Sequence, residues 1–304
     1  GGLNMNKNLL GGLCLSLAAS IWGGMYVASK YVLDFIPPMT LVWLRYAIAF
    51  VALFGFLKYS QRNKKKEKIQ KKDWILLLWI GFIGYFISIS CQFIGTKLSS
   101  AHAGALITSA TPAFIVIFAK IILKEKITLK KLISLLVATL GVIIVIGFEK
   151  SEGDYFLGSI ILVMAALTWA LFSVYVKVAS AKFSSLMITT YTIFFALIFT
   201  TPFAIWELQT HEILLNDPLV IPATLYIGIV STAGAFFLWN KGMDLMDAGT
   251  GSLFFFFQPL VGSFLGWLLL DEKIGMNFFV GGGLIISSIF IISFKKKQVK
   301  KIKI

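Results

Sequence analysis

Apolar residues along this chain do not alternate with polar ones at the period of a soluble helix or strand. They run in blocks of about 20, each ended by lysine, glycine, proline or a short polar turn. Ten blocks are legible: 9–30, 40–58, 74–95, 101–123, 129–148, 156–176, 186–206, 220–240, 250–270 and 276–294. A helix of that length crosses about 30 Å of hydrocarbon. The pattern predicts an all-α integral membrane protein with ten transmembrane helices. Met5 reads as the native start, with 1–4 left from expression. Signal-peptide cleavage of the first block is not expected, because no small-residue cleavage site follows it.

The blocks repeat. Gly11 and Gly158, Trp22 and Trp169, Lys30 and Lys177, Gly81 and Gly228, Gly95 and Gly242, Pro112 and Pro259, and Glu125 and Glu272 all stand 147 positions apart. One gapless register through Gly, Trp, Lys, Pro and Glu marks an internal duplication. The first copy is 5–148 and the second 156–294, with a basic cytoplasmic tail at 295–304. Five spans is an odd number, so the second copy enters the membrane from the opposite side. The fold expected is therefore two inverted-topology five-helix repeats. A site between such halves can open to each face in turn.

Composition agrees. The chain is 58% hydrophobic and 14% charged, against about 45–50% and about 25% for a soluble domain. The net charge of +14 is gathered in runs at 64–72, 120–131 and 295–303. No aromatics are interleaved with them, so anionic lipid is the expected partner and nucleic acid is not. Of the 28 Lys and Arg, 23 fall on one side of the predicted topology and 4 on the other. The larger group sits in the cytoplasm by the positive-inside rule, which places both termini there and the protein in the cell membrane. Cys14 and Cys91 lie inside apolar blocks without partner spacing, so neither a disulfide nor a metal site is expected. No phosphate-binding G-x-x-x-x-G-K-[ST] motif occurs, no cofactor is implied, and any concentrative work would draw on a gradient.

Few residues inside the blocks offer chemistry. Pro112 and Pro259 sit about midway along spans four and nine, where each removes a backbone donor and strands the carbonyl four residues back, at Thr108 and Phe255. Matched breaks in two halves point to a binding site, the alternative being packing kinks. At helical spacing Gly81, Tyr85, Ser88 and Gln92 share a stripe, as do Gly228, Thr232, Ala235 and Trp239. Such polar stripes line a cavity or bond across helices. Trp22, followed by Tyr26 and Ser29, and Trp169, followed by Ser173, lie too deep for an interfacial belt and either line a cavity or fill a core. Arg45, the one basic residue within a span, snorkels, caps carbonyls or meets a substrate carboxylate. Glu125 and Glu272 are candidate gate ion pairs on opposite faces, or weak surface pairs. Gly262 and Gly266 allow a close helix approach, within the chain or in a homodimer. Lys30 and Lys177 read as anchors at span ends. His102 opens the fourth span and His211 falls in a loop. No acid or histidine lies near a span centre, so a buried proton relay is not expected.

Trp22-Gly23 with Lys30, Pro37-Pro38, Arg45, and the stretch from Ala101 through Pro112 to Glu125 form an ordered set. Trp169, Lys177, Ala248, Pro259 and Glu272 echo it. On these residues the chain resembles the EamA-type branch of the drug/metabolite transporter superfamily. The second copy departs from the first in having Thr192 for Arg45 and Ala170 for Gly23. The resemblance implies a cavity between spans 1, 3, 4, 6, 8 and 9. Trp22, Tyr85 and Trp169 would line it, and Pro112 and Pro259 would shape it. It also implies carriage of small organic molecules. The expected function is export of neutral or zwitterionic amino acids by alternating access, as monomer or homodimer. The runner-up is a choline-type carrier with an aromatic cage. An intramembrane enzyme would need converging ionisable groups that the sequence lacks, and a passive scaffold would not need the central aromatics.

Overall fold

A computed structural model describes residues 2–65, 68–98, 107–146, 155–271 and 275–293. His102, Glu272 and the basic tail lie outside the described residues, as do the side chains of Tyr26 and Lys30. Hydrocarbon offers no partner for backbone N–H and C=O groups, so a spanning chain closes its hydrogen bonds within helices. The described residues are accordingly helical, without strands. We label the helices α1 (Gly2–Val32), α2 (Pro38–Gln61), α3 (Lys71–Leu98), α4 (Thr111–Leu123), α5 (Leu129–Ile146), α6 (Tyr155–Ser180), α7 (Ser185–Leu208), α8 (Val220–Leu245), α9 (from Ala248 to Leu270) and α10 (Met276–Ser293). Seven of them, α1, α2, α3, α6, α7, α8 and α9, contain segments long and apolar enough to cross a membrane.

Most helices run a turn or so beyond the apolar blocks, because polar ends continue the hydrogen-bond ladder and then cap it. Gln70 and Asp73 form a capping box at the start of α3, and Asp73 also meets Lys182 at 2.9 Å. Ser184 caps α7 and Asp247 caps α9. Leu13, Leu17, Val51, Phe56, Leu136, Leu140, Phe203 and Trp206 are exposed on the outside of the bundle. Such a surface suits lipid and not water.

Contacts between the two sequence copies come in matched pairs. α1 packs on α8 and α9, and α6 packs on α3 and α4; α2 packs on α7, and α5 on α10. Glycines make the approaches possible. A Cβ on Gly95 would stand 2.7 Å from Leu162 Cγ and 3.0 Å from the Gly158 carbonyl. A Cβ on Gly242 would collide with Leu15 Cγ and stand 3.1 Å from the Gly11 carbonyl. The second set is the first displaced by the repeat offset. A Cβ on Gly23 would stand 2.8 Å from the Gln258 carbonyl and 2.9 Å from Gly262 N, so Gly262 lies in an α1–α9 contact inside the chain.

Two departures from α-helix also match. Gly81–Ser88 in α3 and Ile227–Gly234 in α8 are π-helical, with wider turns than their flanks. Residues 109–110 break the helix ahead of α4, and α9 passes through a tighter 3₁₀ turn at Leu253–Phe256.

Gly242→Ala should lower thermal stability by about 1–3 kcal/mol, because the added methyl overpacks a fully buried Leu15. Gly55→Ala, in α2 with open space at its Cβ position, should be neutral or gain about 0.5–1 kcal/mol. Unfolding of the detergent-solubilised protein followed by scanning fluorimetry separates the two.

Candidate functional site

Trp22 of α1 and Trp169 of α6 meet at mid-bundle, ring centroids 5.6 Å apart and nearly perpendicular. They are equivalent residues of the two copies. α8 adds Phe236, 5.7 Å from Trp22, and Trp239, 5.5 Å from Trp22. Tyr85 of α3 stacks on Phe236 at 4.3 Å with an interplanar angle of 7°. Edge-to-face and stacked contacts of this kind add about 0.5–1.5 kcal/mol each beyond burial. The cluster is a rigid floor.

Above that floor lies a cavity of about 50 Å³. It has room for a few waters and not for a metabolite. Its wall draws on both copies. Trp22, Met25 and Arg45 come from α1 and α2, Ser88, Ile89 and Gln92 from α3, and Thr108 and Thr111 from the break before α4 and its start. Ala165, Ala166 and Trp169 of α6, Phe236 of α8, and Phe255 and Gln258 of α9 close it.

Residues beside both prolines border this cavity, Thr108 and Thr111 at the first and Phe255 and Gln258 at the second. The Thr108 carbonyl, robbed of its helical donor by Pro112, accepts the Thr111 hydroxyl at 2.6 Å. Thr111 and Gln258 are equivalent positions, and each immediately precedes its proline. Both were missed in the sequence, although a polar residue before each matched proline was the signal that could have found them. Met25, Phe236 and Phe255 carried no signal that separates them from core residues.

Of the expected binding residues, Trp22, Ser88, Gln92, Thr108 and Trp169 line the cavity. Tyr85, Ser173, Thr232 and Trp239 do not, and this corrects the sequence reading. Each is fully buried behind the wall. Tyr85 accepts from Asn240 Nδ2 at 3.2 Å, and Trp239 Nε1 donates to Ser173 Oγ at 3.2 Å. Thr232 Oγ1 donates to the Ile227 carbonyl, five residues back, at 2.8 Å. For Tyr85 the physical cause is the π-helical turn. A stripe drawn at ordinary helical spacing loses phase through Gly81–Ser88, so Tyr85 turns into the core while Ser88 and Gln92 face the cavity.

Arg45 does not snorkel. It is buried, its Nε donates to Thr232 Oγ1 at 2.7 Å, and its guanidinium carbon stands 5.4 Å from the Phe236 ring centroid. Lys177 is no lipid anchor either: its ammonium donates to the Met243 carbonyl at 3.0 Å and to the Met246 carbonyl, finishing the C-terminus of α8.

At one end of the bundle a latch of hydrogen bonds joins α4 to α9. Lys124 takes the left-handed conformation, φ 59°, at the end of α4, and Asp271 does the same, φ 54°, at the end of α9. The first reversal lets the Glu125 N–H bond to the Ala119 carbonyl at 3.2 Å. The Glu125 carboxylate then accepts the N–H groups of Ala248 at 2.8 Å and Gly249 at 3.1 Å, at the start of α9. Lys131 lies 3.8 Å from Glu125 and 3.0 Å from Asp247. Glu125 is thus a cap on another helix, more than a surface ion pair. Glu207, which the sequence did not single out, holds the start of α2 likewise, accepting from Thr40 N–H at 2.8 Å.

The chain matches the EamA-like transporter family over residues 9–147 and again over 156–294. It is 30% identical over 302 residues to the uncharacterized transporter YetK of Bacillus subtilis, covering 98% of this chain and 91% of that protein. It is 57% identical over 77 residues to the putative permease-like protein YdzE of the same organism, which covers 25% of this chain. A crystal structure at 18% identity superposes with a TM-score of 0.77, covering 92% of this chain and 95% of that one, a likeness of fold.

Glu125→Ala should destabilise the protein by about 1–2 kcal/mol, by freeing two helix N–H groups. Lys124→Gly should stabilise it by about 1 kcal/mol, by relieving a left-handed side chain. Partial burial alone would raise the Asp247 carboxyl, but hydrogen bonds from Thr250 and Lys131 hold it below its ordinary value. Its contribution to the latch is therefore complete at neutral pH and fades as pH falls through that depressed value. Asp247→Asn should flatten the acid limb of a thermal-stability profile.

Proposed function

The chain belongs to the EamA-like transporter family, and from the site just described we propose that it exports neutral or zwitterionic amino acids by alternating access. It does so as ten transmembrane helices in two inverted five-helix repeats, 5–148 and 156–294, with both termini and the 295–304 tail in the cytoplasm. The matched helix contacts support a pseudo-two-fold axis in the membrane plane, passing between Trp22 and Trp169. The observation that carries the reading is the cavity on that axis, walled by both copies and bordered by both proline breaks. Substrate would enter as the halves part on one side, and the small volume now present is the site with its walls drawn together.

On this reading Trp22 and Trp169 hold the apolar part of the substrate, Ser88, Gln92 and Thr108 its polar part, and Pro112 and Pro259 the flexible breaks. Glu125 latches one mouth, and Glu272 is assigned the other by the repeat. The transport state is a monomer or homodimer in an anionic-lipid membrane. The choline reading loses ground because Arg45 stands against the Phe236 ring, where a permanent cation would stack.

Counterflow in proteoliposomes tests it. Vesicles preloaded with unlabelled leucine should accumulate labelled leucine without a pH gradient. Trp22→Ala or Trp169→Ala should cut the initial rate at least about tenfold, the loss of roughly 1.4 kcal/mol of binding. Accumulation of choline alone would replace the amino-acid assignment, and exchange unaffected by both substitutions in folded protein would move the site elsewhere.

A further inference from the structure

We propose that Arg45 recognises the substrate, and that the group it recognises is a carboxylate. The proposal rests on the reading of the central cavity as the transport site. A guanidinium carries five N–H donors and a permanent charge. In Arg45, Nε donates to the Thr232 hydroxyl at 2.7 Å, and among the described residues Nη2 approaches only the Met25 thioether, a weak acceptor, at 3.4 Å. The ion pairs among the described residues are Lys131 with Glu125 and Asp247, and Lys182 with Asp73; none involves Arg45. An arginine kept inside a membrane bundle for structure pairs with an acid or with backbone carbonyls. Among the described residues Arg45 does neither, and it borders the cavity instead.

A second donor stands in the same wall. Trp169 lines the cavity, and its buried indole N–H finds no partner among the described residues. Two under-used donors, one of them charged, call for an anion, and the planar fork of arginine fits a carboxylate with two parallel bonds. Among the described residues the wall contains no Asp or Glu, so an ammonium group on the substrate is tolerated and not required. Met25, Ile89, Phe236 and Phe255 are apolar, and Arg45 is the one cation among the described wall residues, so the ligand class is a compact monocarboxylate with an apolar body.

The site is one-sided. Thr192 occupies the place of Arg45 in the second copy, and its hydroxyl donates to the Ile188 carbonyl of its own helix. The repeat therefore supplies two similar halves but one carboxylate receptor, and the substrate binds in one orientation.

The test is competition in counterflow with labelled leucine and, in parallel, labelled 4-methylpentanoate, which lacks the ammonium. The competitors are both acids, 3-methylbutylamine, which lacks the carboxylate, and leucinamide, which masks it. On the wild-type protein both acids should compete, and the amine and amide should be weaker by about tenfold or more. Arg45→Gln should weaken both acids by a similar factor and leave the amine unchanged, and Arg45→Lys should restore part of the loss. The wild-type comparison stands even if Arg45→Gln does not fold. An amine or amide that competes as well as leucine overturns the proposal while leaving amino-acid transport intact, as does a folded Arg45→Gln with unchanged leucine affinity. Exchange of 4-methylpentanoate without leucine removes the amino-acid assignment and supports the carboxylate site. No exchange of either acid overturns the carboxylate site.

Discussion

A backbone carbonyl without a donor costs several kcal/mol in hydrocarbon. Pro112 and Pro259 create such carbonyls at membrane depth, and much of the bundle's interior answers them. At the first break, Thr111 turns its hydroxyl back to the Thr108 carbonyl. At the second, the chain tightens into a 3₁₀ turn at Leu253–Phe256. Both solutions need polar or tightly wound backbone beside a polar space, and the cavity lies there. The wider π-helical turns at Gly81–Ser88 and Ile227–Gly234 flank the same space from α3 and α8. Four irregular segments, two from each copy, surround one point, where the helix ladder is weakest and a change of shape costs least.

Away from that point, side chains tie helix ends to one another. Glu125 reaches the start of α9 because Lys124 adopts a left-handed turn that ordinary side chains avoid. The strain is small, and the helix-terminal hydrogen bonds offset it. Below the cavity, Trp22, Trp239, Tyr85 and Phe236 interlock without gaps. Lys177 ties the α6 and α8 ends together.

Symmetry and its breaking divide the labour. Residues that position helices recur at the repeat offset, as with Gly95 and Gly242 or the left-handed Lys124 and Asp271. Residues that face the cavity mostly do not recur. Arg45 bonds Thr232, while its equivalent Thr192 gives its hydroxyl to the Ile188 carbonyl of its own helix. One geometry thus yields a charged contact on one side and a neutral one on the other.

The amino-acid sequence by itself determined the helices, their approximate ends, the duplication and the two breaks, because each follows from local physics. Apolar block length sets a spanning helix, proline removes a donor wherever it stands, and an offset of 147 needs no coordinates to be seen. It also singled out Trp22, Trp169, Ser88, Gln92 and Thr108, whose depth or polarity inside a span was enough. Tertiary structure decided the rest. Tyr85 left the predicted stripe because a π-helical turn changes phase, and that turn forms where α3 crosses α6 and α7. The partner of Arg45 lies 187 positions away and that of Glu125 about 123 away, distances over which sequence spacing carries no geometry. Gln258 and Phe236 became cavity residues only when two copies were packed face to face.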